Sequence, residues 1–249
     1  MSDNKRSQGC RWFTLVVAAA SMVVAAAATA AAPTITCTTD PSIFNTAYNG
    51  SDGVLPVGST DAHWEASFSP AGPWTPATIQ TPNGAWVTSP YGNAGWINQP
   101  SPPSFSPVYY RYQFNLGPLV NPAALALQMD FYVDDQMQTV SINGTVVQNY
   151  VDATHPNGQG GFSSGGQLSE TLNSNWQSGA NELILKTYNI TQPSGLLVQM
   201  RIEDAAGLCR TDIPQTLSTA PVPVDARWML ALTGLLLAGA GAMLARKRG

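Results

Sequence analysis

Every second residue of Tyr110-Arg111-Tyr112-Gln113-Phe114-Asn115-Leu116 is apolar. A period of two puts those side chains on one face of a pleated strand, a pattern that no helix can bury on one side. Leu125, Leu127, Met129, Phe131 and Val133 repeat it on the next segment. Asp134-Asp135 then reads as a turn, and Gln138 to Ile142 as another strand. Asn143-Gly144 predicts a type I′ hairpin, because both central positions of that turn need positive φ, with Thr145 to Val147 returning. Glu182 to Tyr188 and Leu196 to Ile202 are two further strands joined by a turn at Pro193 and Gly195. No stretch away from the termini sustains a helical period, so the expectation is an all-β domain.

Residues 40 to 107 are rich in Pro, Gly, Ser and Thr, with Trp64, Trp74, Trp86 and Trp96 spaced through them. So many aromatics argue against disorder, and the expectation is short edge strands in long loops. Asn157 to Gly166 is Gly/Ser-rich and reads as a mobile loop.

The two ends carry targeting patterns. Lys5, Arg6 and Arg11 form a basic n-region, Trp12 to Ala28 an apolar h-region, and Ala28-Thr29-Ala30 offers the small residues that signal peptidase needs. Residues 1–30 are therefore read as a signal peptide. At the other end, Val222-Pro223 and Trp228 precede an uncharged apolar run over 229–245, and Arg246-Lys247-Arg248 closes the chain. The 18 residues Trp228–Ala245 span about 27 Å as a helix, enough to cross a hydrocarbon core, with the basic tip held in the cytoplasm. This tail resembles the PEP-CTERM class of sorting signals, and within it the Ile-Pro-Thr-Leu-type variant. Val222-Pro223 stands where that class has Ile-Pro, and Trp228 keeps the spacing of five residues after the proline. Val224, Asp225, Ala226 and Arg227 depart from the usual interior of the motif. The resemblance implies recognition by a membrane enzyme of the exosortase class and a link to extracellular polysaccharide and biofilm matrix. A plain C-terminal membrane anchor is the alternative.

Stripping both ends changes the electrostatics. The full chain has a net charge of −4, but between Ala31 and Pro221 thirteen carboxylates face only Arg111, Lys186, Arg201 and Arg210, giving −9. Such a surface argues against nucleic acid and anionic membrane as partners and is compatible with cations or neutral sugars. Cys37 and Cys209 are the cysteines that remain after signal-peptide removal. In an oxidising compartment a bridge between them would close a loop of about 170 residues, worth roughly 5 kcal/mol in chain entropy. Two buried free thiols are the alternative.

The second half of the chain resembles the galactose-binding-like jelly roll, the sandwich found as a sugar-binding domain beside many glycoside hydrolases. The likeness runs through Tyr109-Tyr110-Arg111-Tyr112-Gln113-Phe114 and Phe131-Tyr132-Val133-Asp134-Asp135, then to the Ser141-Ile142-Asn143-Gly144 hairpin. Ser178-Gly179-Ala180-Asn181-Glu182-Leu183 and Ser194-Gly195-Leu196-Leu197 continue it, over about residues 105–204. It implies a jelly-roll β-sandwich over 31–207, followed by a stalk over 208–221 and the sorting signal over 222–249. Such motifs mark a fold far better than a ligand.

Chemistry is thin. Gly161-Phe162-Ser163-Ser164-Gly165 fits the nucleophile-elbow pattern, but His63 and His155 both lie upstream and no helix follows. Two histidines and no clustered cysteines leave no zinc pattern. Glu65, Asp130, Asp152, Glu170 and Glu182 could supply a glycosidase pair, yet spacing selects none. Asp134-Asp135 is a weak metal candidate, better read as a carboxylate capping a turn; structural calcium held by backbone carbonyls would leave no sequence trace. For sugar binding, the candidates are Trp64, Trp96 and Trp176 as stacking faces, with Asn157 and Gln159 on the Gly/Ser loop as polar contacts. No cofactor is expected. The reading is a non-enzymatic, exported envelope or surface protein that contacts carbohydrate, membrane-associated at least transiently. A purely structural surface protein and, behind it, a glycan-processing hydrolase are the alternatives. Mass spectrometry of the protein from cells is expected to find an N-terminus near Ala31 and a C-terminus near Pro223; an intact Arg246-Lys247-Arg248 end would mean a permanent anchor instead.

Overall fold

The computed structural model describes residues 31–203 and 207–210. The expected signal peptide, most of the stalk, and the sorting tail with its transmembrane helix lie outside the described residues. No helix among the described residues is long and apolar enough to cross a membrane.

Those residues are all-β, as the alternation requires. The strands are β1 (Thr34–Ile35), β2 (Thr60–Ser67), β3 (Thr75–Ile79), β4 (Ile97–Asn98), β5 (Ser106–Leu116) and β6 (Leu127–Asp134). They continue with β7 (Gln136–Ile142), β8 (Thr145–Asn149), β9 (Leu168–Leu172), β10 (Gly179–Asn189) and β11 (Gly195–Ile202). One hydrogen-bonded path joins them in the order β8-β7-β10-β5-β2-β3-β4-β11-β6-β9, with β1 parallel to β5 and the other pairs antiparallel. The path curls over itself into a nearly closed sheet. Tyr110, Tyr112, Phe114, Leu183, Leu185, Val140 and Ile142 from one half meet Met129, Phe131, Val133, Leu196, Val198 and Met200 from the other in one core. Each such side chain contributes on the order of 1.5–3 kcal/mol when buried. Asn143 and Gly144 take φ of 50° and 78°, the primed-turn values the hairpin needs.

Three expectations are corrected. The region 40–107 does not supply edge strands: β2 and β3 lie in the middle of the path, between β5 and β4. Their alternation is hidden because β2 is irregular between Thr60 and Glu65, where the polar Asp61 turns inward to accept backbone N–H groups. Second, Asn157–Gly166 is tied down rather than free. Gln159 exchanges both backbone hydrogen bonds with Met137, and Val133 and Val87 donate to Gly161 and Phe162. Gly158 has φ 113°, and a Cβ there would stand 2.0 Å from the Met137 carbonyl oxygen, so its glycine serves close approach. Third, Leu208 is buried and its carbonyl accepts from Asn121 N–H, so the segment read as the start of a stalk packs onto the domain.

Asp61 is the buried polar anchor of β2. Its carboxylate accepts from the backbone N–H groups of Ala47 (2.5 Å), His63 (2.8 Å) and Trp64 (2.9 Å). Burial pushes its pKa up, and those three donors oppose the shift. Removing the carboxylate strands three donors away from water, each costing about 1–3 kcal/mol. Asp61→Ala is therefore expected to lower the urea-unfolding free energy by about 4 kcal/mol; a loss under about 1 kcal/mol would show that the donors find other partners.

Candidate functional site

The three tryptophans expected as sugar platforms are packed inside. Trp64 is 0% exposed and donates from Nε1 to the Phe44 carbonyl. Trp96 is 1% exposed, lies against Trp86 at 4.3 Å outside β6 and β11, and donates to the Val87 carbonyl. Neither offers a face to solvent. Trp176 is 8% exposed, packs on Phe114 and donates to the Leu172 carbonyl, with one edge on a surface cleft.

That cleft, of about 570 Å³, opens at the end of the barrel where the described chain starts and stops. The loop Asn173–Ser178 forms one wall, the turn at Asn121–Ala123 a second, and Arg210 a third. The Cys37–Cys209 disulfide, Cα–Cα 5.8 Å, holds the last wall in place, together with the Asn121 N–H donated to Leu208 O and the Arg210 N–H donated to Leu119 O. An amide network supports the loop from below. Asn143 Nδ2 donates to Asn175 O (2.7 Å) and Asn181 Oδ1 (2.9 Å). Asn181 Nδ2 in turn donates to Gln177 O (2.7 Å) and Gly179 O (2.8 Å), and its Oδ1 accepts from Gln177 N–H. The hairpin Asn-Gly and the Gly-x-Asn-x-Leu motif, far apart in sequence, thus form one support.

The cleft residues Asn121, Asn173, Asn175, Gln177 and Arg210 were not singled out from sequence. Asn173-Ser174-Asn175 signals only a turn, and nothing in the chain order joins it to Asn121 or Arg210. Asn157 and Gln159 are not brought there. Gln159 pairs with Met137 at the start of β7, whereas the cleft lies beyond its end at Asn143. Of the five carboxylates weighed as a glycosidase pair, Glu65 and Glu182 come together on the outer face of β2, β5 and β10. Both bind Arg111, Glu65 Oε2 at 2.5 Å and Glu182 Oε2 at 3.6 Å, and the guanidinium lies 4.4 Å from the Trp74 ring centroid. Among the described residues no group of three or more His, Cys, Asp or Glu could hold a metal ion.

Asp134 and Asp135 sit at the opposite end, joined by a cis peptide bond. Asp135 does cap backbone, accepting from Ile190 N–H (2.5 Å) and Thr191 N–H (3.1 Å), but on β10's exit loop rather than its own turn. Asp134 is 4% exposed and accepts from Trp86 Nε1 at 2.6 Å. Burial first, and then hydrogen bonding with Asp135, pushes its pKa up to about 7.

No protein-family model matches the chain, and no curated protein does. Among solved structures, the chain is similar to the β-glucosidase from Kluyveromyces marxianus in complex with glucose, at 10% identity and a TM-score of 0.31. The likeness covers 62% of this chain and 18% of the enzyme, so the chain spans about a fifth of that protein's length. A TM-score this low carries no argument about this chain's activity.

The raised Asp134 pKa has a signed consequence. The folded state holds that proton more tightly than the unfolded chain, whose carboxylates titrate near 4. The stability it contributes is complete below about pH 4 and is lost as pH rises through about 7. With a metal chelator present, the urea midpoint is expected to fall between pH 5 and pH 8 and to fall less in Asp134→Asn. Burial lowers the His63 pKa, and its titration is common to both proteins and cancels in the comparison. An identical slope in the two would assign the titration to another group.

Proposed function

We propose that this is an exported component of a bacterial envelope whose galactose-binding-like jelly-roll domain contacts carbohydrate through the cleft beside Trp176. The observation that carries the reading is the chemistry of that cleft. Side-chain amides and hydroxyls from Asn121, Asn173, Ser174, Asn175, Gln177 and Ser178 line it, with Arg210 as its cation. Amides donate and accept, and hydroxyls do both, which suits the mixed donors and acceptors of a polyhydroxylated chain. Trp176 is only 8% exposed, so affinity in this proposal comes from hydrogen bonds rather than stacking.

The remainder of the reading rests on the sequence. The signal peptide would export the chain, a membrane enzyme of the exosortase class would process the tail, and extracellular polysaccharide would be the partner. The disulfide across the domain's ends supports an oxidising destination. The proposal is non-enzymatic. What supports this is that Glu65 and Glu182 are both engaged by Arg111. Among the described residues, no carboxylate lines the cleft.

The test is binding of the protein purified from cells to a glycan array and to its own matrix polysaccharide. Asn173→Ala combined with Ser178→Ala leaves the amide support intact. With about 1 kcal/mol per neutral hydrogen bond, it is expected to weaken binding roughly 30-fold. Equal binding by wild type and the double variant would remove the cleft from the reading. No binding to any glycan would favour a purely structural surface protein.

A further inference from the structure

Buried polar atoms that make no hydrogen bond within the protein concentrate at the end of the barrel opposite the cleft. Tyr110, Asn189 and Ser194 are each 0% exposed; the Tyr110 hydroxyl and Ser194 Oγ lie against each other without full hydrogen-bond geometry, and Asn189 Oδ1 has no partner. Gln136 Oε1 is a fourth such atom. Leaving a buried polar atom unpaired costs about 1–3 kcal/mol, so several side by side call for a shared partner.

Strand register places two of them beside Asp135. Gly195 pairs with Asp134 across β11 and β6, so Ser194 falls beside Asp135. Tyr188 pairs with Gln136 across β10 and β7, so Asn189 falls beside Asp135 from the other strand. Asp135 Oδ2 already binds the next two N–H groups, those of Ile190 and Thr191. The Tyr110 hydroxyl neighbours Ser194 and lies within electrostatic reach of Asp134. The Trp86 indole covers the corner: it donates to Asp134, and it stands so close over Gly195 that a Cβ there would meet its ring at 2.6 Å.

We propose that the Asp134–Asp135 corner binds a hard divalent cation of the calcium class, held by the two carboxylates together with the Tyr110 hydroxyl, Ser194 Oγ and Asn189 Oδ1. Every donor is oxygen, which selects calcium or magnesium over zinc or copper. The donors come from four strands or loops and are mixed in kind. That suits calcium, which tolerates irregular coordination, better than magnesium, which demands an octahedron and keeps its water. Two carboxylates match a divalent charge, and a domain at −9 attracts cations. The ion would tie the β6–β7 corner to the ends of β10 and β11.

The test uses the full chain in mild detergent, stripped with a chelator and titrated with calcium and, separately, with terbium. Calorimetry is expected to give one ion per chain. Calcium at a hundred-fold excess over its Kd is expected to raise Tm by roughly 5–10 °C at neutral pH. Bound terbium is expected to luminesce on tryptophan excitation. Ser194→Ala, which leaves both carboxylates and the Trp86 contact in place, should keep the fold but weaken calcium binding several-fold, which locates the ion even if the carboxylate variants fold poorly. Asp134→Asn with Asp135→Asn should abolish the Tm shift. A protein that takes up no calcium in calorimetry and whose Tm ignores it overturns the proposal. Calcium binding undiminished by Ser194→Ala, or a calcium shift that survives in the double variant, places the ion elsewhere and equally overturns it.

Discussion

β11 needs a hydrogen-bonding partner along its whole length, and the neighbouring strand is too short to be one. β4 is two residues long and pairs with β11 only at Leu196 and Ile97. The N–H groups of Val198 and Met200 would be stranded in the core beyond it. Asn45 and Thr46 meet them: Thr46 Oγ1 accepts from Val198 N–H (3.0 Å), and Asn45 Oδ1 accepts from Met200 N–H (2.7 Å). Thr46 N–H returns a bond to the Val198 carbonyl, and the Thr46 carbonyl accepts from Gly95 N–H. Two side chains and one peptide thus complete a strand edge, because a buried backbone donor without a partner is too costly to leave. Asp61 secures the same segment from β2 by holding Ala47 at φ 60°, a conformation alanine rarely adopts.

With that seam closed, the two ends of the barrel take different characters. One end gathers the described chain's first and last residues, the disulfide and the amide-lined cleft. The other gathers buried carboxylates, unpartnered hydroxyls and the Trp86 indole. The covalent link at the first end fixes Arg210, the residue after Cys209, beside the cleft. At the second end no covalent link exists among the described residues, and polar contacts hold the corner.

Much of the β architecture was legible from residue 106 onward. Alternation in β5, β6, β10 and β11 is strict because each has one face in the core and the other outward. Residues 40–105 were not legible to the same degree. There the pairing runs through Asn45, Thr46 and Asp61 side chains, and a polar residue satisfying buried backbone looks in sequence like a loop residue. The Gly/Ser run at 157–166 misled for a related reason. Its glycines permit close backbone approach to β7, which composition cannot distinguish from mobility.

The tryptophans mark the same divide for function. Their number and spacing are sequence facts, but whether a ring is a platform or a core side chain depends on what packs over it. Trp64 and Trp96 are covered, and Trp176 keeps one edge. The sequence by itself determined the all-β class, the Asn143-Gly144 turn, the acidic surface and the two cysteines available for a bridge, since these follow from local periodicity, local φ preference and counting. Only the tertiary structure decided which amides meet at the cleft, that Asp134 is buried under Trp86, and that Asn189 and Ser194 come beside Asp135. Those contacts join residues far apart in the chain, 84 positions in the case of Tyr110 and Ser194, and no local pattern encodes a meeting made by sheet curvature.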